Sequence, residues 1–385
     1  MIKESNSRIA AVFIAALLGV PSLASAQSLN GPLSNVVLSG YGSATFIAVP
    51  DSDFRNDFTA SVSPVILYSM GDDLLFETEL EFGLSGELTT TSLEYAQIDY
   101  LGFERLQFVA GKFLLPFGTF SERLHPTWIN KLPTMPLVYG HAHGGVAEES
   151  LLPILSDAGL MARYKAPVGE KWAVDITGWI SQGPQLQEHD EEAESEGDPH
   201  AHKGGGSSRQ ISASLSEAEI EIPLVGFGIG FSDNNSNKML GARIGLVHGP
   251  SFEIYFSAFH AMYDPGEYLD LTGFNISIDY RKARFDVRAE VTVLNQELEL
   301  EDGFDTLSRT GYYIQVARRY GAFEPVVRWS HLLEGKLEGD VLRAERQQIA
   351  VGLNYWIEPS VPVKLAYQVG LDGENLILLQ WAFGF

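Results

Sequence analysis

The sequence predicts an all-β chain: a transmembrane antiparallel up-and-down β-barrel of about 16–18 strands. Three observations carry that expectation. Apolar and polar residues alternate with period two from near Val36 to Phe385, short turns alternate with long polar loops, and aromatic residues flank the short turns.

Alternation is clearest at residues 74–84, LLFETELEFGL. Successive strand side chains point to opposite faces, so Phe76, Thr78, Leu80, Phe82 and Leu84 share one side, and Glu77, Glu79 and Glu81 share the other. In ARFDVRAEVTVL, Phe285, Val287, Ala289, Val291 and Val293 oppose Arg284, Asp286, Arg288, Glu290 and Thr292. Short connections fall at 70–73, 102–105, 165–171, 249–251, 281–283, 320–323 and 358–360. Longer polar ones fall at 49–56, 85–91, 116–156, 182–213, 233–238, 264–268, 295–309, 333–343 and 371–374. Counting a hairpin near 214–232 gives about 18 strands, and omitting it gives about 16.

Tyr100 and Phe103, Tyr280 and Phe285, Tyr320 and Phe323, and Tyr355 and Trp356 lie beside the short turns. That is where a girdle at a membrane interface would sit, whereas a soluble sandwich would concentrate aromatics in its core. Apolar faces therefore meet lipid and carboxylate faces line water, with closure satisfying backbone groups that lipid cannot. On this reading Arg is harmful at Leu80 or Val291 and tolerated at Glu79 or Glu290.

The first residues read as a signal peptide, 1–26. Lys3 and Arg8 precede the apolar run IAAVFIAALLGV, and Ala24-Ser25-Ala26 supplies small residues for cleavage near Ala26/Gln27. The run is about 12 residues, short of the roughly 18 that suggest a spanning helix. Residues 27–385 are then the barrel. With 50 acidic and 26 basic residues, a net charge of −24, the chain is not built to bind nucleic acid. It has no cysteine, which excludes disulfides and thiolate metal sites.

The last ten residues, LILLQWAFGF, keep the apolar parity and stop on an aromatic. They resemble the C-terminal strand of bacterial outer-membrane barrels. That resemblance implies the outer membrane of a Gram-negative bacterium, with its lipids and the barrel-assembly machinery as partners. Residues 93–118, LEYAQIDYLGFERLQFVAGKFLLPFG, are similar to a hairpin of the phosphate-selective porin O/P family, which has E-Y-A-x-x-D-Y followed by G-K-F-x-x-P-F-G. This likeness implies a passive porin for small hydrophilic solutes or ions. It also implies Lys112 beside the pore entrance, a strand ending at Pro116-Phe117-Gly118, and a following loop folded inward.

The family's anion preference depends on basic residues along the pore. Here the candidate pore-lining set is Glu77, Glu79, Glu81, Asp99, Asp175, Glu253, Asp286 and Glu290, against Lys112, Arg243, Arg284, Arg288 and Arg328. Carboxylates outnumber cations, which points to a cation-leaning lumen, with phosphate or anion selectivity as the alternative. Loop 116–156 carries Trp128, Ile129, Leu132, Met135, Leu137 and Val138, too apolar for a solvated tail. By analogy with porins it is expected to fold inward as a constriction, with a loop that caps the rim by packing on its neighbours as the alternative. Association as a homotrimer is a further expectation.

Loop 182–213 holds seven acids and three histidines between Glu188 and His202. His189, Asp190, His200 and His202, with His141 and His143 of the neighbouring loop, are candidate ligands for weakly held zinc or another divalent cation. A solvated acidic loop is the alternative. No other cofactor is expected. Catalysis is not expected either: no nucleophile motif is present, and adjacent residues such as Ser330 and His331 point to opposite faces of a strand.

Overall fold

The computed structural model describes residues 35–50, 55–86, 88–140, 150–186, 235–300, 303–337, 339–370 and 375–385, with short pieces at 27–28, 212–215, 218–221, 223 and 225–228. The signal-peptide reading of 1–26 lies outside them. Sixteen strands make the barrel. They are β1 (Val36–Val49), β2 (Arg55–Met70), β3 (Leu74–Ser85), β4 (Leu88–Tyr100), β5 (Leu106–Leu114), β6 (Ser156–Val168), β7 (Trp172–Ser181) and β8 (Met239–His248). They continue as β9 (Phe252–Met262), β10 (Asp270–Lys282), β11 (Phe285–Leu300), β12 (Gly303–Arg318), β13 (Phe323–Leu332), β14 (Arg346–Glu358), β15 (Val361–Gly370) and β16 (Leu376–Gly384).

Each strand pairs antiparallel with the next, and β16 pairs with β1 from Gly384 opposite Tyr41 to Ile377 opposite Ala48. At this seam Phe385 N donates to Gly40 O at 2.9 Å and Gly40 N donates back to Phe385 O at 3.1 Å. Closure leaves no open sheet edge, which lipid would not tolerate. The count is the lower of the two expected, because Ser212–Leu215 and Ala218–Glu221 pair only with each other, apart from the barrel. Residues 182–238 are therefore one long connection.

Period two maps onto the two faces. Phe256, Ile276, Val291, Ile314, Leu353 and Leu365 are exposed on the outside, at 40–55% for most of them and 45% for Val291. The residues between them, including Ser277, Thr292, Gln315, Asn354 and Gln380, are buried on the inside. Tyr100, Phe103, Tyr280, Phe285, Tyr320, Phe323 and Tyr355 are exposed beside the short turns. Trp356 departs from the girdle expectation: its neighbours Tyr355 and Ile357 face outward, so strand alternation puts Trp356 inside, where Nε1 donates to Glu324 at 2.9 Å.

One bulge matters for the lumen. Glu79 faces Tyr95 and Leu80 faces Leu93, so Glu94 has no residue opposite. The extra residue shifts the parity of β4 at that point.

Replacing outward-facing Val291 with Arg should cost insertion about 2–4 kcal/mol, while Glu81→Gln on the inner face should refold like the parent. Urea titration of barrels refolded into vesicles measures both. Equal losses would undo the facing assigned here.

Candidate functional site

The interior is organised by residues 115–140 and 150–155 of the segment that joins β5 to β6. Lipid contact is closed to this segment, yet its side chains are as apolar as a core, so it buries them against the inner wall. Phe117, Phe120, Leu132, Leu137, Val138 and Tyr139 are all at most 4% exposed. Phe120 stacks on Tyr139 at 5.2 Å between ring centroids, and Phe117 meets Phe259 edge-on at 4.8 Å. Glycines in the wall form sockets for two of the loop side chains. A Cβ at Gly384 would stand 2.8 Å from Trp128 Nε1, and one at Gly352 would stand 2.6 Å from Leu132 Cδ2.

Four buried charges tie the loop to the wall, three of them through its backbone. Glu290 accepts from Phe120 N at 2.7 Å, Thr119 Oγ1 at 2.8 Å and the hydroxyl of Tyr139 at 2.6 Å. Arg328 donates to Thr134 O, Thr134 Oγ1 and Met135 O, each at 2.8 Å. Lys364 donates to Asn130 O at 2.7 Å, to Gln380 Oε1 at 2.9 Å and to Thr127 O. Glu122, on the single helical turn Phe120–Leu124, takes Arg163 at 2.8 Å and Arg243. Burial alone would raise the Glu122 carboxyl, but Arg243, Arg163 and Arg123 outweigh it and hold the pKa at about 2. Nearby, His125 gives its Nδ1 proton to Ser121 O at 2.7 Å, and burial pushes the imidazole below its ordinary value, towards the neutral form.

Side-chain and backbone bonds from the loop reach β6, β8, β9, β11, β13–β15 and β1. Among the described residues none reaches β2, β3 or β4. The uncovered wall is the acidic one. Glu77, Glu79 and Glu81 on β3 face inward beside Asp99 and Glu94 on β4; Ser92 Oγ donates to Glu94 at 3.0 Å, and Tyr41 OH donates to Glu79 at 2.6 Å. None of these five carboxylates makes an ion pair among the described residues.

The sequence-derived pore set thus divides. Glu77 and Glu81 are half-exposed on the open wall, with Glu79 and Asp99 buried within it. Asp175, on β7, lies 3.9 Å from Arg243. Arg243, Glu253, Arg288, Glu290 and Arg328 are on the inner face but at most 8% exposed, because the loop and its ion pairs cover them. Arg288 holds Asp286 at 2.8 Å, and Glu253 takes Arg123 at 2.9 Å. The expectation that Glu290 tolerates Arg is corrected for the same reason, since a cation there would face the donors of Thr119, Phe120 and Tyr139. Arg284 is not on a strand face at all: it sits exposed in the β10–β11 turn with φ of +74°. Lys112 donates to Leu93 O at 2.8 Å and Gly228 O at 3.2 Å.

Glu94 escaped the parity reading because the bulge at β4 breaks period two. Lys364 kept the parity and could have been read from VPVKLAYQVG. The loop partners Glu122 and His125 had no periodic signal. His141, His143, His189, Asp190, His200 and His202 lie outside the described residues. Ser330 is fully buried on the inside while His331, on the outside, meets Tyr312 OH at 2.7 Å and Glu345 at 2.6 Å, so the two point apart.

No protein-family model and no curated protein matches the chain. Solved structures do resemble it. Salmonella typhi OmpF in complex with daunomycin aligns with a TM-score of 0.56 at 11% identity, over 91% of this chain and 98% of that one. The outer membrane channel DcaP of Acinetobacter baumannii aligns at 0.56 and 11% identity, over 95% and 99%. An anion-selective porin from Comamonas acidovorans aligns at 0.53 and 11% identity, over 91% and 99%. At such identities the likeness is one of fold, and it adds nothing to the phosphate-selective porin resemblance of residues 93–118.

Glu290→Ala should leave Thr119 N and Phe120 N unpaired, at about 1–3 kcal/mol per buried group. Hydrogen exchange at those amides should accelerate and single-channel conductance should rise; unchanged protection would remove Glu290 as an anchor. The Glu122 linkage predicts a pH window. A carboxyl depressed to about 2 in the fold, against about 4.3 unfolded, stabilises fully above the unfolded value. That contribution is lost as pH falls through the folded one. Loop amides should therefore lose protection between about pH 4.3 and 2 in the parent and show a flatter profile in Glu122→Gln.

Proposed function

We propose that the protein is an outer-membrane channel through which small hydrophilic solutes or ions diffuse, with a preference for cations. The single observation that carries this reading is the division of charge inside the barrel. Inner cations are engaged: Arg163 and Arg243 on Glu122, Arg123 on Glu253, Lys131 on Glu324, Arg288 on Asp286, and Arg328 and Lys364 on loop carbonyls. The carboxylates of Glu77, Glu79, Glu81, Glu94 and Asp99 have no cationic partner among the described residues, and they sit on the wall that the loop leaves uncovered, with Glu77, Glu81 and Glu94 the ones not buried.

Like charges so placed repel one another, and a passing cation relieves that repulsion where an anion adds to it. The loop narrows the remaining path and keeps solutes close to the acidic face. The barrel neighbours support a channel through their fold alone, and the anion-selective one among them shows that this architecture does not dictate the sign of selectivity.

Planar-bilayer recordings in a potassium chloride gradient test the reading. Cations should set the reversal potential, and the triple variant Glu77→Gln, Glu81→Gln, Glu94→Gln should lower the cation-to-anion ratio several-fold at low salt. The difference should shrink near 1 M, where the Debye length is about 3 Å. Anion preference in the parent would reject the selectivity, and absence of any conductance would reject the channel.

A further inference from the structure

In this acidic chain, two short turns hold five basic residues and no acid. Arg281, Lys282 and Arg284 lie at the β10–β11 turn, and Arg318 and Arg319 begin the turn from β12 to β13. Between the strand ends, the other short turns carry no net positive charge: Asp72 and Asp73, Glu104 with Arg105, Glu170 with Lys171, no charge at 249–251, and Glu358. The two basic turns form one surface, because Arg319 N donates to Arg284 O at 3.0 Å.

Within that surface the side chains separate by face. Arg281 reaches inward to Glu253 at 3.2 Å, and the guanidinium of Arg319 lies 4.8 Å from the ring of the inward Trp356. Lys282 and Arg318 belong to the outer face. Outward Phe285 has Lys282 as its register partner on one side and Arg318 on the other. The Arg318 guanidinium lies 4.6 Å from the Phe285 ring centroid and 4.8 Å from that of Tyr320. Two aromatic faces thus orient a planar cation whose N–H groups suit bidentate contact with a phosphate.

Arg284 stands at the corner between them. With Ala283 it adopts φ of +74° and +52°, a two-residue turn in which Asn and Gly are the comfortable occupants. The turn leaves Arg284 exposed. No carboxylate pairs with Lys282, Arg284 or Arg318 among the described residues. Their level is that of the aromatic girdle, where headgroup phosphates lie, and short turns mark the periplasmic end of such barrels.

We infer that Lys282, Arg284 and Arg318, framed by Phe285 and Tyr320, bind the phosphate headgroup of an anionic phospholipid in the periplasmic leaflet. This rests on the reading of the chain as a membrane channel. Each cation near a lipid surface is expected to contribute roughly five-fold to lipid preference.

The refolded full chain, released from vesicles of phosphatidylcholine with one-fifth phosphatidylglycerol, is examined by native mass spectrometry for retained lipid. The parent should retain phosphatidylglycerol over phosphatidylcholine well beyond their ratio in the vesicle. The triple variant Lys282→Gln, Arg284→Gln, Arg318→Gln should lose most of that preference while keeping its heat-modifiable barrel and its conductance. Lys171→Gln, at another short turn, serves as the control and should retain it. Equal retention by parent and triple variant would overturn the site. Full displacement by equimolar inorganic phosphate would overturn the lipid assignment in favour of a free anion. Conductance on the same preparations separates the two proposals: a silent parent that still selects phosphatidylglycerol sinks the channel and supports the lipid site.

Discussion

Lipid offers no partner for a backbone N–H or C=O, and everything else in this molecule depends on that constraint. A chain crossing the membrane with strands must pair every strand on both sides, so β16 returns to β1 and the sheet closes. Closure then creates a second problem. The inner face of sixteen strands encloses a volume rich in buried polar side chains, and each of those needs a partner or water. The long connection between β5 and β6 answers much of that need, because its backbone supplies carbonyls to Arg328 and Lys364 and amides to Glu290.

The same packing sorts the lumen charges into two populations. Arg243, Glu253, Glu290, Glu324, Arg328 and Lys364 are engaged in holding the loop, and Arg288 in pairing with Asp286, so they are structural although they point into the pore. Carboxylates on β3 and β4 take neutral donors such as Tyr41 and Ser92 but no cation among the described residues. A tally of inner charges would miss this, since Arg243 and Glu77 share the same parity but differ in whether a partner has already neutralised them.

A comparable division runs through the cations at the short-turn end. Arg281 and Arg319 are turned to the pore mouth, while Arg318 is stacked between two rings on the lipid side. Alternate residues on neighbouring strands can thus serve water and membrane at one level, because the barrel wall is one residue thick.

The sequence by itself determined the fold class, the outward and inward parity of most strands, the aromatic girdle and the inward destiny of an apolar loop. These follow from short-range periodicity and composition, which survive without knowledge of any long-range contact. Tertiary structure alone decided three things. It set the strand count at sixteen, because whether 214–232 joins the barrel depends on pairing rather than on local pattern. It brought Glu94 inward through a bulge defined only by its partner strand. It also decided which lumen charges stay open, since Glu122 meets Arg243 across 121 residues of sequence, and Lys364 meets Asn130 across 234. Contacts of that range leave no period for a sequence to display, because they are set by where the loop lands once the wall has closed.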